Sequence, residues 1–395
     1  MPHATSTSNA RRRAPHRVAA SVAALAVAAA LTACGPQPAP DPTPLPLPSP
    51  PASSPAAGPV VPPPVLLPAG APEVIADGLD VPWSILQLPT GGVLVSERDT
   101  ADIVEVLADG GTRVAATVPG VVPGGEGGLL GLAFLAGDGD RPAYVYAYLT
   151  AASDNRIVRT PLTGVPGSLG LGAPEDVLTG IPKAGNHNGG RIAFGPDGFL
   201  YATSGDAGNR DAAQDVASLS GKILRMTPEG QPAPGNPFGN RTWSYGHRNP
   251  QGIAWDASGG MWASEFGQNA WDELNRIERG ANYGWPVVEG QAGDDRFVDP
   301  VLQWPTSEAS PSGLAIAGDT LFLAALRGAR LWSVAPATAG GELAATAWFE
   351  NEFGRLRDVV PGPDGELWFV SNNTDGRGSP GPGDDRLFRI RLDPA

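Results

Sequence analysis

The chain has 395 residues, with 27 Lys+Arg against 41 Asp+Glu and a formal net charge of −14. That balance argues against a nucleic-acid partner, because phosphate contacts need clustered positive charge. The single cysteine excludes a disulfide scaffold, a CxxC redox site and a cysteine-rich zinc site. Hydrophobic residues make up 41%, enough for a sizeable core, while 53 Gly and 43 Pro disfavour long helices.

In chain order, the first segment reads as an export signal. Arg11, Arg12, Arg13 and Arg17 precede an almost purely apolar run from Val18 to Leu31, too short to span a bilayer comfortably and suited to a signal-peptide core. The run ends in Leu31-Thr32-Ala33-Cys34, which resembles the lipobox of bacterial lipoproteins, in which the cysteine thiol is diacylated and becomes the new N-terminus. The expectation is a lipoprotein signal peptide over residues 1–33, lipidation at Cys34, and an extracytoplasmic domain, periplasmic or at the cell surface, anchored to a membrane. An ordinary signal peptide with a chance cysteine is the alternative. Residues 35–72 carry 16 prolines and cannot pack a core. Polyproline II is their natural conformation, so 34–72 is expected to be a semi-rigid tether.

From Glu73 to Ala395 a repeat appears: a short apolar strand, a tight turn rich in Gly, Asp or Pro, and a second strand with aromatic or β-branched residues. Its clearest copies are Arg191-Ile-Ala-Phe-Gly-Pro-Asp-Gly-Phe-Leu-Tyr201 and Gly252-Ile-Ala-Trp-Asp-Ala-Ser-Gly-Gly-Met-Trp262. The Pro-Asp-Gly turn has a mechanism, since proline presets φ and glycine accepts φ > 0. Six copies align on Ile85, Ala133, Ala193, Ala254, Ala315 and Val359. A period near fifty residues with several short strands per unit predicts an all-β fold, a six-bladed β-propeller over 73–395. A β-sandwich with accidentally similar hairpins is the competing fold. Propellers bind ligands at one end of the central channel, so function is expected in the irregular segments between repeat cores.

Those segments place polar or charged residues beside glycines in nearly every copy. If they converge, His187, Arg248, Arg327, Arg355 and Arg357 share a pocket. Histidine is the usual general base near neutral pH. Convergent arginines in an acidic protein suit a ligand with several carboxylates or phosphates. Asp272, Glu273 and loop carbonyls could hold a hard cation such as Ca²⁺. Singly, each feature has a plainer reading: His187 as a turn residue, Arg355-x-Arg357 as a solvated strand face, Asp272-Glu273 as surface charge, and His247 as structural.

In order, the chain shows Gly-Gly-Leu-Leu-Gly, His187-x-x-Gly-Arg191 with Gly205-Asp206 downstream, Gly246-His-Arg-Asn-Pro-Gln-Gly252, Asp272-Glu-Leu-Asn275 with Asn282-Tyr-Gly-Trp-Pro286, and Arg355-x-Arg-Asp358. Over 73–395 this strongly resembles the soluble glucose/sorbosone dehydrogenases that depend on pyrroloquinoline quinone (PQQ), also called aldose sugar dehydrogenases. The resemblance implies PQQ and Ca²⁺ as cofactors, an aldose substrate oxidised at its C1 hydroxyl to a lactone, and a quinone or other external electron acceptor. It implies that His187 is the base, Asp206 the carboxylate that orients it, and Arg248 a charge over the quinone carbonyls. Asn249 and Thr306 would be polar cofactor contacts, Trp304 an aromatic wall, and Arg355 and Arg357 a grip on the cofactor carboxylates. Ca²⁺ would take carbonyls of Gly267 and Gln268, and Glu273 with the Tyr283 carbonyl would form a second calcium site.

Two departures stand out. Arg327 falls where the family's glucose enzymes carry a cofactor-binding Lys, and Glu126 where they place a Gln against the cofactor. A carboxylate beside a tricarboxylate needs Ca²⁺ or an arginine to offset it. The chain also lacks the long insertion those enzymes carry before Trp304-Pro-Thr, which fits a broad-specificity aldose enzyme better than a glucose enzyme. The rival functions are a Ca²⁺-dependent lactonase, which needs side-chain carboxylates around a central metal, and a tethered propeller that binds without catalysis.

Overall fold

In a computed structural model of the chain, residues 63–337 and 341–395 are described. The expected signal peptide, Cys34 and most of the Pro-rich segment lie outside them. The described residues form six antiparallel sheets of four or five strands and one short 3₁₀ helix, Arg210–Gln214. Their innermost strands are Pro82–Gln87, Leu129–Leu135, Ile192–Phe194, Pro250–Trp255, Pro311–Ala317 and Leu356–Pro361. These are the inner strands of blades one to six of a propeller, and each contains one of the six repeat positions read from the sequence.

Local chemistry explains the hairpins. In blade three, Gly195-Pro-Asp-Gly198 closes with Gly198 N–H donating to the Gly195 carbonyl at 2.9 Å, and Gly198 takes φ +77° as the turn requires. Strands in the middle of a blade are buried on both faces, as in Thr320–Ala325, because each blade packs against two neighbours. Six apolar clusters result among the described residues, one between each adjacent pair of blades. Tyr146, Tyr148, Leu200 and Leu224 fill the space between blades two and three. Phe322, Phe369 and Phe388 fill that between five and six.

Closure corrects one expected boundary. The first strand is Leu66–Ala76, and it pairs antiparallel with the C-terminal strand Leu387–Pro394 as the outer edge of blade six. Residues 66–72 therefore belong to the propeller, not to the tether. Pro68 and Pro72 are compatible with that place because an edge strand has one side on which a missing N–H costs nothing.

Candidate active site

The polar end of the channel is built by β-bulges. Register shifts fall at the start of the inner strands, between Pro82 and Ser84, Pro250 and Gly252, and Leu356 and Asp358. A bulged residue leaves the ladder and its side chain is re-aimed. The residues so displaced are Trp83, Gln251 and Arg357, and they meet one another across the axis. Arg357 Nη1 donates to Gln251 Oε1 at 2.8 Å, and its guanidinium lies 5.8 Å from the Trp83 ring centroid. Arg191 covers the same ring at 4.4 Å, donates to the Gln251 carbonyl at 2.9 Å, and pairs with Asp358 at 3.0 Å. Burial pushes the Arg357 pKa down to about 9, with Asp375 opposing, so it stays cationic at pH 7.

Above this floor sits the candidate base. His187 has φ +57°, and its Nδ1 donates to Asp206 Oδ1 at 2.7 Å. Asn186 Nδ2 lies 3.2 Å from Nε2 and donates to it, so Nε2 is the acceptor nitrogen, which a hydroxyl reaches by displacing Asn186. Asp206 is fully buried and also accepts Gly208 N–H at 2.8 Å and Trp285 Nε1–H at 2.9 Å. Burial works against its ionisation, but the hydrogen bonds from His187, Gly208 and Trp285 hold its carboxyl below the usual range. The loop Gly124–Gly128 reaches this site through glycine. A Cβ on Gly125 would lie 2.0 Å from the Gly185 carbonyl oxygen, and Gly125 has φ +62°. That close approach delivers Glu126, whose Oε2 accepts the His187 main-chain N–H at 2.9 Å. Its other oxygen faces Arg377 at 3.5 Å. Glu126, expected against the cofactor, also holds the main chain of the base, and Arg377 supplies an offsetting charge.

Arg248 and Asn249 are presented by a buried carboxylate. Glu265 accepts the main-chain N–H groups of both residues and also His247 Nδ1–H at 2.8 Å. His247 is fully buried between Glu265, Ser244 and the Tyr283 ring, which makes it structural. Arg248 lies 5.4 Å from the Trp285 ring centroid and donates to the carbonyls of Phe266 at 3.1 Å and Gly267 at 2.6 Å. Burial pulls its pKa below the usual arginine range, against the pull of Asp206 and Glu265. The following loop is pinned by Glu289, whose Oε1 accepts N–H groups from Gln268, Asn269, Ala270 and Trp271 at 2.6–3.2 Å.

Several expected residues fall elsewhere. The Gly267 carbonyl, expected as a Ca²⁺ ligand with that of Gln268, holds the Arg248 guanidinium, so a cation there would displace it. Arg355 is paired through two nitrogens with Asp375 at 2.9 and 3.1 Å, which leaves it one nitrogen for a ligand. Arg327 is exposed beside it on a cavity wall. Trp304 is 5% exposed and packs 5.7 Å from Trp332 in the core between blades four and five, not as a free aromatic wall. Thr306 is half-buried in the turn after that strand. Glu273 accepts Asn275 Nδ2–H at 3.0 Å and Gly290 N–H at 2.8 Å, and burial, then Glu265, pushes its carboxyl up to about 8. Glu273 and Tyr283 do border one small cavity of about 10 Å³, together with Glu265 and Glu289. Among the described residues no three His, Cys, Asp or Glu side chains are grouped to hold a metal by themselves. The carboxylate cluster that a lactonase needs is therefore not assembled there.

The donor set fits an acceptor-rich anion. Arg191 Nη2, Arg248 Nε, Asn249 Nδ2 and Arg357 Nε are buried without a hydrogen-bond partner, and all four belong to this end of the channel. Each such donor costs about 1–3 kcal/mol until a ligand accepts from it. The oxygens of a tricarboxylate quinone are of that kind. Sequence reading passed over Arg191, Gln251, Glu265, Trp285 and Asp375 as site residues; Arg191, Gln251 and Trp285 lie inside quoted motifs, but their partners are distant in sequence.

Comparisons with known proteins agree with this geometry. The model of a glucose/sorbosone dehydrogenase family matches residues 79–380. An aldose sugar dehydrogenase of Escherichia coli is 31% identical over 346 residues, covering 77% of this chain and 90% of that protein. The PQQ-bound structure of an aldose sugar dehydrogenase from Streptomyces coelicolor is 51% identical, with TM-score 0.77 over 83% of this chain and 100% of the other. A glucose dehydrogenase structure from Thermus thermophilus is 43% identical, with TM-score 0.74 over 81% and 99%.

Proposed function

The chain belongs to the glucose/sorbosone dehydrogenase family, and on that premise we propose that it oxidises aldose sugars at C1 to lactones with PQQ and Ca²⁺. The observation that carries the reading is the pairing of His187 with the buried Asp206, set beside four unsatisfied donors at one end of the channel. When bound, the quinone supplies the two-electron acceptor for the C1 hydride, and Ca²⁺ supplies Lewis acidity. Arg191, Arg248, Asn249 and Arg357 would hold the cofactor's oxygens, with Arg355 and Arg327 at its margin.

His187 Nε2 takes the proton of the C1 hydroxyl as the hydride leaves C1. Its Nδ1–H stays on Asp206, which fixes the tautomer and stabilises the imidazolium that forms. Arg248 places fixed positive charge in a buried setting, where it opposes negative charge developing on the acceptor side. Trp285 holds the second oxygen of Asp206, and Glu126 fixes the main chain of the base.

We also propose that the enzyme is exported, lipidated at Cys34 and held at a membrane by residues 34–65, with electrons leaving to a quinone or other external acceptor. The apolar run before the only cysteine supports this. Titration of the metal-free chain with PQQ and Ca²⁺, followed by absorbance and by dye reduction across a panel of aldoses, tests the enzyme reading. Saturable Ca²⁺-dependent turnover is expected; absence of cofactor binding would refute it.

A further inference from the structure

The 3₁₀ helix Arg210–Gln214 joins two strands of blade three and is bonded to the loop that carries Trp285. Gln214 Nε2 donates to the Trp285 carbonyl at 2.7 Å and to Asn282 Oδ1 at 3.0 Å, while Gln214 Oε1 accepts Asn282 Nδ2–H at 2.8 Å. A main-chain carbonyl can only accept, so the Gln214 amide has one orientation here, and it satisfies all three contacts. Room for the amide pair comes from Gly246, where a Cβ would lie 2.1 Å from Asn282 Oδ1 and 2.9 Å from Gln214 Nε2. Behind the helix, fully buried Lys222 holds the carbonyls of Ala212 and Ala213, both at 2.9 Å. Arg210 covers the Trp285 ring at 4.4 Å.

What this clamp holds in place is the indole N–H. Asp206 Oδ1 accepts both His187 Nδ1–H and Gly208 N–H. Its Oδ2 has Trp285 Nε1–H, at 2.9 Å, as its one partner among the described residues. The indole therefore sets the plane of the carboxylate, and with it the direction of the bond to the imidazole. A donor on Oδ2 also stabilises the ionised carboxylate, so it bears on how tightly the pair holds a proton.

We propose that Gln214 and Asn282 are positioning residues for the proton transfer: acting through Trp285, they keep Asp206 aligned with His187 and temper the base. The inference rests on the dehydrogenase reading for its catalytic meaning, but the bonds from Gln214 through Trp285 and Asp206 to the His187 ring stand without it.

Gln214→Met and Trp285→Phe exchange neutral groups for neutral ones. They leave in place the charges around the pair: Glu126 on the His187 amide, Arg248 beside the indole and Arg210 over it. In the full chain reconstituted with PQQ and Ca²⁺, the acid limb of kcat/KM reports the coupled pair. Without the indole donor the pair holds its proton more tightly, so Trp285→Phe should move that limb up by about one pH unit. Gln214→Met only loosens the donor, and should move the limb up by about half a pH unit with kcat down about threefold. The double variant should go no further than Trp285→Phe alone, because Gln214 acts through the indole. A clamp that merely supports the fold would lower the melting temperature and leave the limb where it is. Shifts that add would give Gln214 a separate route. Either result overturns the proposal.

Nuclear magnetic resonance of the cofactor-free full chain gives a readout that needs no turnover. One indole N–H should titrate in step with the His187 ring, identified by its loss in His187→Gln, and over a smaller range in Gln214→Met. If no sugar is oxidised, the dehydrogenase reading fails and this measurement decides. The wild-type titration stands even where a variant does not fold: no indole in step with His187 refutes the positioning role, as does an indole that Gln214→Met leaves unchanged.

Discussion

Asp206→Asn isolates the contribution of one buried charge to the base. The carboxylate sits 2.7 Å from His187 Nδ1, and its burial keeps water from screening the pair. With charge centres about 4 Å apart at an effective dielectric of 20, the imidazolium formed during proton transfer gains about 4 kcal/mol from Asp206. A neutral amide forfeits most of this, so kcat should fall by about 10²–10³-fold. The amide also has one acceptor where the carboxylate has two. With its oxygen toward His187 and Gly208, its NH₂ opposes Trp285 Nε1–H, and that mismatch costs about 1–3 kcal/mol of stability. The folded carboxyl ionises below its unfolded range, so its stabilisation is present above pH about 4 and vanishes as pH falls through the folded value. The stability gap between wild type and variant should therefore close in acid. The assay is kcat by dye reduction with PQQ affinity by absorbance, plus urea unfolding at several pH values. A variant that turns over within fivefold of wild type, or one whose loss lies entirely in PQQ affinity, would refute the role given to Asp206.

Three further outcomes follow from the packing. Lys222 is fully buried and donates to the carbonyls of Ala212, Ala213 and Ser220 at 2.5–2.9 Å, so Lys222→Met should strand those oxygens and cost about 2–4 kcal/mol in urea unfolding. A Cβ on Gly205 would lie 2.0 Å from the His187 carbonyl oxygen, so Gly205→Ala should displace the base. Its kcat should fall at least tenfold, with far-UV circular dichroism unchanged. A chain starting at residue 73 loses the ladder from Leu66↔Pro394 to Ala69↔Arg391. It should be less stable than one starting at residue 63 by about 3 kcal/mol, read as a lower melting temperature. Equal melting temperatures would mean that the closing strand contributes nothing.

What the sequence determined by itself was short-range. The six repeat positions, Ile85 to Val359, all fall in innermost strands, because hairpin period, apolar alternation and Pro-Asp-Gly turns depend on neighbours a few residues apart. His187 and Asp206 were legible for the same reason: they flank one hairpin of blade three. The tertiary structure decided the rest. Pro68 and Pro72 read as tether, and only the pairing of Leu66 with Pro394 across the whole chain makes that segment the closing edge. Glu126 read as a cofactor contact, and only the close approach of Gly125 to Gly185 shows that its carboxylate also sits on the His187 amide. Bulges turned Gln251 and Arg357 from strand positions into channel residues, and Trp304 became core because Trp332 of the next blade covers it. Hydrogen bonds and packing between residues a hundred positions apart exist only once the ring has closed, so no local pattern in the chain encodes them.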